Sequence, residues 1–176
     1  TGLHVFACRT HFGVWNTYGF VVLFARLDDL DFNDDLPGER RPEIDRWVLA
    51  LMNQTVRQCT ESMDDFDAKS AGDAIESFVD QLSNWYIRRN RRRFWKSTDL
   101  EDKRSAYLTL YECLTTVQRL MAPFIPFLAE NMYQNLVISI DKDAALSVHM
   151  SDWPETNPAH EDEQLLYEIN VVQQVV

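Results

Sequence analysis

Arg88, Arg89, Arg91, Arg92, Arg93 and Lys96 fall within nine residues that contain no acid, and Trp85, Tyr86, Phe94 and Trp95 stand beside them. Two chemistries fit this pattern. Guanidinium forks grip phosphate oxygens and flat rings stack on bases, which together are what RNA binding asks for. The same cations also suit the negative C-terminal end of a helix dipole, and they can pair with acids elsewhere in the chain. Composition alone does not choose between the two.

The overall balance is 17 basic against 28 acidic residues, a net charge of −11. On its own that argues against nucleic-acid binding. Removing the six clustered cations leaves 11 basic against 28 acidic residues, a net −17. The charge is therefore segregated, and an average over the chain hides a basic patch on an acidic body.

Nothing comparable points to catalysis. The five glycines never form GxGxxG, GxxxxGK[ST] or GxSxG, so no phosphate cradle or nucleophile elbow is present. Cys8, Cys59 and Cys113 are odd in number and widely separated, which supports neither a disulfide framework nor a thiolate metal site. His4, His11, His149 and His160 contain no HExxH and no helical i,i+4 pair. The aspartates between 28 and 35 lack the spacing and closing glutamate of a calcium loop and read as a solvated connection. The expectation is a chain with no catalytic and no metal-binding residues of its own.

The patch needs a scaffold, and helical periodicity supplies it. With 176 residues and 45% hydrophobic content the chain is sized for one main domain. Residues 5–27 are apolar on most sides, as in a helix wedged between others. After Pro42, apolar residues at Ile44, Trp47, Val48, Leu51, Cys59 and Met63 line one helical face. Ser70 with Asp73 suggests a capping box for a helix buried through Ile75, Phe78, Val79, Leu82 and Tyr86, which should pack on the preceding one. Thr98 with Glu101 suggests another, buried through Tyr107, Leu110, Leu114, Val117 and Met121 and ended by Pro123. Pro126 suits the first position of a shorter helix through Leu136. Short extended segments are expected at most near 137–149, and a helical pattern resumes after Glu161. The fold class expected is all-α, a helix bundle.

No apolar run reaches the roughly 18 residues of a membrane span, and the N-terminus carries no secretory pattern. A cytoplasmic chain without a membrane partner is expected. Apolar residues crowd both ends, which reads as a piece of a longer chain.

Asn84-Trp85-Tyr86-Ile87-Arg88 through Arg93-Phe94-Trp95 resembles the signature of the helical anticodon-binding domain of isoleucyl-tRNA synthetases. In the right order come Trp15-Asn16-Thr17-Tyr18, Asp45-Arg46-Trp47, Ala122 through Glu130, and Ser147 through Pro154. The five blocks cover residues 14 to 154 and are specific for the branched-aliphatic class I synthetases. The arginine-rich tail of the Trp-Tyr block favours the isoleucine enzyme over those for valine and leucine.

The resemblance implies a tRNA anticodon-arm-binding domain, residues 1–154, followed by the start of a C-terminal extension, residues 155–176. It implies a parent isoleucine-tRNA ligase that uses ATP and Mg through HIGH-like and KMSKS-like motifs, neither of which occurs in this chain. The partners implied are tRNA(Ile) and the catalytic domain of the same parent chain. An extension that can carry zinc in some members follows in the family, but no cysteine pairs for it are present. The alternatives are the equivalent domain of a valyl or other class I enzyme and, from another class, an acidic helical scaffold whose arginines only form salt bridges.

The candidate RNA-binding residues are Arg88, Arg91, Arg92, Lys96 and Asn16. On an unbroken helix the packed stripe 75, 78, 82, 86 continues to Arg89 and Arg93, whereas Arg88, Arg91 and Arg92 turn away from it. Arg89, Arg93, Trp85 and Tyr86 are thus expected to be structural or secondary RNA contacts.

Overall fold

The computed structural model describes residues 13–19, 40–96 and 99–175. Of the helix expected over 5–27, residues 13–19 are described and are helical (α1). The acidic connection through residue 39, Thr98, and the side chains of Trp95 and Lys96 lie outside the described residues. Then follow α2 (Glu43–Asp64), α3 (Ala68–Asp80), α4 (Arg88–Lys96), α5 (Leu100–Met121), α6 (Pro126–Tyr133) and α7 (Glu163–Val175). Among the described residues there is no strand, so the all-α expectation is met. Near 137–149 no strand forms, within the limit of short extended segments at most: a π-helical turn, Gln134–Ile138, prolongs α6, Ser147 is extended, and a 3-10 turn spans Val148–Met150.

The core is made where α2, α3 and α5 face one another. Val48, Met52, Val56 and Cys59 of α2 meet Ala71, Ile75, Phe78 and Val79 of α3, and Leu110, Cys113, Leu114 and Val117 of α5 complete the cluster. Full burial of each larger side chain is worth about 1.5–3 kcal/mol, so this stripe is the main source of helix stability. α1 reaches α3 closely at Gly13, where an added Cβ would sit 2.9 Å from Val79 Cγ1.

Helix ends follow local chemistry, with two corrections. α3 is capped by Asp67 and not Ser70: the Asp67 carboxylate accepts the Ser70 N–H at 3.0 Å, so the helix starts earlier. Asp and Ser cap about equally well, and here the chain entry sets an Asp67 oxygen against the Ser70 N–H. α5 is capped by Asp99 in place of Thr98, with Glu101 and Asp102 N–H as its donors. α5 ends at Met121, two residues before Pro123, and Pro126 opens α6 as expected.

Between α2 and α3 the chain turns through Phe66, whose φ of 58° is left-handed. The Asp67 N–H donates to Ser62 O and the Phe66 N–H to Met63 O, the bonding pattern of a helix stop that glycine ordinarily fills. The Phe66 side chain is 96% exposed, so packing does not compensate the strained backbone.

Later segments tie back to the bundle. Glu130 on α6 accepts from Ser147 Oγ at 2.7 Å and Val148 N at 3.0 Å. These bonds hold its carboxyl below the usual range even though its desolvation acts the other way. Trp153 Nε1 donates to Thr60 Oγ1 at 2.9 Å, Asn157 N donates to Asn53 Oδ1 at 2.7 Å, and Arg57 pairs with Glu161. α7 then lies on α2 through buried Leu165, with Leu166 and Ile169 against the same core. No helix among the described residues is long and apolar enough to cross a membrane.

Candidate nucleic-acid interface

The arginine run is positioned by a break in helical register. α3 continues into α4 through a π-helical segment, Gln81–Ile87, which carries more residues per turn than an α-helix. The buried stripe therefore advances from Leu82 and Tyr86 to Asn90 and Phe94. The wheel for an unbroken helix placed Arg89 on that stripe, and the structure corrects it: Arg89 is exposed and Asn90, 5% exposed, takes the inward slot. The Asn90 side chain donates to Tyr86 O at 2.8 Å, which satisfies a backbone carbonyl at the register change.

Arg93 does turn inward, and its partner is buried charge. Asp45, with no exposed surface, accepts from Arg93 Nη1 at 2.6 Å and from Nη2 at 2.8 Å. It also accepts from Tyr86 Oη at 2.7 Å and from Ser105 Oγ at 2.7 Å. Arg93 in addition donates Nε to Asp102 at 3.0 Å and Nη1 to Asn90 Oδ1 at 3.2 Å. Burial by itself would lower the Arg93 pKa, but its bonds to Asp45 and Asp102 outweigh that and raise it. Burial, with Asp45 beside it, pushes the Tyr86 hydroxyl well above its ordinary value.

An unpaired carboxylate in such a place would cost several kcal/mol. Four donors from three neighbouring stretches compensate it, and they join α2, the π segment with α4, and α5 at one point. Phe94 adds an apolar anchor, edge-on to Tyr107 at 5.0 Å between ring centroids. Arg93 and Phe94 thus clamp α4 from inside.

The opposite side of α4 presents Arg88, Arg91 and Arg92, all exposed and at i, i+3 and i+4 of one face. Among the described residues none of the three pairs with an acid, whereas Arg41 pairs with Glu112, Arg57 with Glu161, Lys69 with Asp73, and Arg93 with Asp45 and Asp102. The salt-bridge chemistry weighed for the run thus describes Arg93 and not these three. Arg89 lies over the Trp85 ring with Cζ 3.8 Å from its centroid. Trp85 packs against the core on its inner side, and its Nε1 is buried without a hydrogen-bond partner. Asn16 is exposed on α1. The Lys96 side chain lies outside the described residues.

The periodicity left Asp45, Asn90, Asp102 and Ser105 unnoticed. A signal for the first existed, because Asp45 falls on the same stripe as Val48, Met52 and Cys59, and a charge on a packed stripe needs a partner.

The chain matches the model of the anticodon-binding domain of tRNA ligase over residues 45–176, from the hub aspartate onward, and it belongs to that family. It is 48% identical over 93% of its length to an isoleucine–tRNA ligase of Thermus thermophilus and spans 16% of that protein. It is 49% identical over 92% of its length to one of Dehalococcoides mccartyi, again 16% of the relative, and 42% identical over 95% to one of Bacteroides fragilis, 15% of it. The chain thus spans about a sixth of the curated relatives it matches.

Proposed function

We propose that this chain is the anticodon-arm-binding part of a cytoplasmic isoleucyl-tRNA synthetase and that it grips tRNA(Ile) through Arg88, Arg91 and Arg92, with Lys96 and Asn16 as flanking contacts. The observation that carries the reading is an exposed arginine face that, among the described residues, has no acid partner, on a chain of net charge −11. Clustered exposed cations make a local positive patch on an otherwise acidic chain, and anticodon-arm phosphates have the chemistry to neutralise it. The isoleucine assignment is supported by the names of the relatives, which are isoleucine–tRNA ligases. In the parent enzyme a catalytic domain outside this chain would use ATP and Mg to activate isoleucine.

No residue here is assigned to that chemistry, so the chain's share is binding and orientation. Charge supplies attraction without sequence preference, and discrimination must come from contacts to bases. Competition tests the proposal. At low salt an RNA hairpin copying the tRNA(Ile) anticodon arm should displace labelled tRNA(Ile) from the chain, and a hairpin of equal charge copying the acceptor arm should displace it poorly. Equal displacement by both would reduce the reading to nonspecific polyanion binding.

A further inference from the structure

We infer that the Arg89–Trp85 stack is a platform for one unpaired RNA base, a role separate from phosphate neutralisation by Arg88, Arg91 and Arg92. The inference rests on the RNA-binding reading above and adds a preference for single-stranded loops.

The geometry has three parts. Trp85 is held by the core on its inner side. The Arg89 guanidinium carbon stands 3.8 Å above the ring centroid, and Arg89 is itself exposed, so the stack is open to solvent. Among the described residues Arg89 has no acid partner, in contrast to Arg93. A planar cation pinned on an indole is a preorganised stacking surface, and guanidinium planes accept bases as aromatic rings do. A base inside a duplex already has both faces covered, so the platform selects bases that have left the stack.

The register change gives this arrangement its origin. On an unbroken α-helix Arg89 would share the buried stripe with Arg93; the π segment rotates all of α4, which takes Arg89 out of the stripe and leaves Arg93 at its edge, where its long side chain still reaches Asp45. Arg88 precedes the platform by one residue and Arg92 follows it by three, so phosphates either side of an extruded base would meet cations.

The test uses a substitution that keeps the charge and removes the plane. Affinities of the whole chain are measured for an RNA hairpin with an unpaired loop and for a blunt duplex with the same number of phosphates. Wild type should prefer the hairpin. Arg89→Lys should lose about tenfold on the hairpin and little on the duplex, with an unchanged salt slope. Arg57→Lys, at an arginine outside the run that pairs with Glu161, should leave the hairpin-to-duplex ratio as it was. Salt-dependent RNA binding with a ratio that Arg89→Lys does not move would overturn the platform and spare the phosphate reading. Absence of RNA binding by wild type would overturn both. Displacement of the hairpin by polyglutamate at equal charge concentration would assign the patch to an acidic protein and overturn the platform.

Discussion

Arg93 and Asp45, 48 residues apart in sequence, meet as a fork on a fully buried carboxylate, at 2.6 and 2.8 Å. This contact makes the arginine run a structured surface: one arginine turns inward and fixes the helix, and the others are left outside. Each half of the contact belongs to a sequence block that resembles the synthetase domain, and the bond joins the two blocks in space.

Removing one side of that contact should be severely destabilising. Asp45→Ala leaves Arg93 buried without its main partner, and loss of one member of a buried pair costs about 3–5 kcal/mol. Ser105→Ala, which removes one neutral donor to the same carboxylate, should cost about 1 kcal/mol. Urea unfolding measures both, and an Asp45→Ala chain within 1 kcal/mol of wild type (about the Ser105→Ala cost) would show that the hub is not holding α2, α4 and α5 together.

A substitution at the α2–α3 turn should act in the other direction. Phe66 is left-handed and 96% exposed, so its side chain contributes strain without burial. The left-handed region costs an ordinary residue about 1–2 kcal/mol, against about 0.5–1 kcal/mol of added chain entropy for glycine. Phe66→Gly should therefore raise stability by about 0.5–1 kcal/mol. A lowered thermal midpoint would mean that the exposed ring makes a contact that matters.

Buried thiols and a buried phenol set the alkaline limit. Burial pushes the Cys59 thiol up from 9.0 to about 12 and holds the Cys113 thiol and Tyr86 hydroxyl well above their ordinary values. Above about pH 9 the unfolded chain releases protons that the folded chain keeps, so the folded state loses ground as pH rises. Their contribution is complete below that pH, and each such group then removes about 1.4 kcal/mol per pH unit until its folded pKa is reached. Urea midpoints should fall steeply above pH 9, and Cys59→Ala should make the decline shallower. A flat profile would contradict the burial of these groups.

Much of this architecture was legible before any coordinates. Steps of three and four apolar residues marked α2, α3 and α5, and Pro123 and Pro126 marked a helix stop and start with known chemistry. Caps were less legible because Ser70 and Asp67, or Thr98 and Asp99, are all competent, and only geometry decides which oxygen meets the free N–H groups. The exchange of Arg89 for Asn90 was hidden because no residue pattern marks a π segment, and one such turn moves every later side chain around the axis. Val137 and Ile138 read in sequence as short extended candidates at most, since β-branched residues favour strands in isolation, and the end of α6 carries them on as helix.

The division of labour proposed for the run gives tRNA to Arg88, Arg91 and Arg92 and the hold on their helix to Arg93. Its most direct test is tRNA(Ile) affinity as a function of salt, for wild type and for the Arg88→Glu, Arg91→Glu, Arg92→Glu triple variant, with thermal midpoints recorded alongside. Wild-type log K should fall linearly with log salt, by about 0.7–0.9 for each phosphate neutralised. The triple variant should lose binding while its midpoint stays close to wild type, because exposed substitutions usually cost under about 0.5 kcal/mol each. A triple variant that keeps both the affinity and the salt slope would place the tRNA elsewhere on the domain.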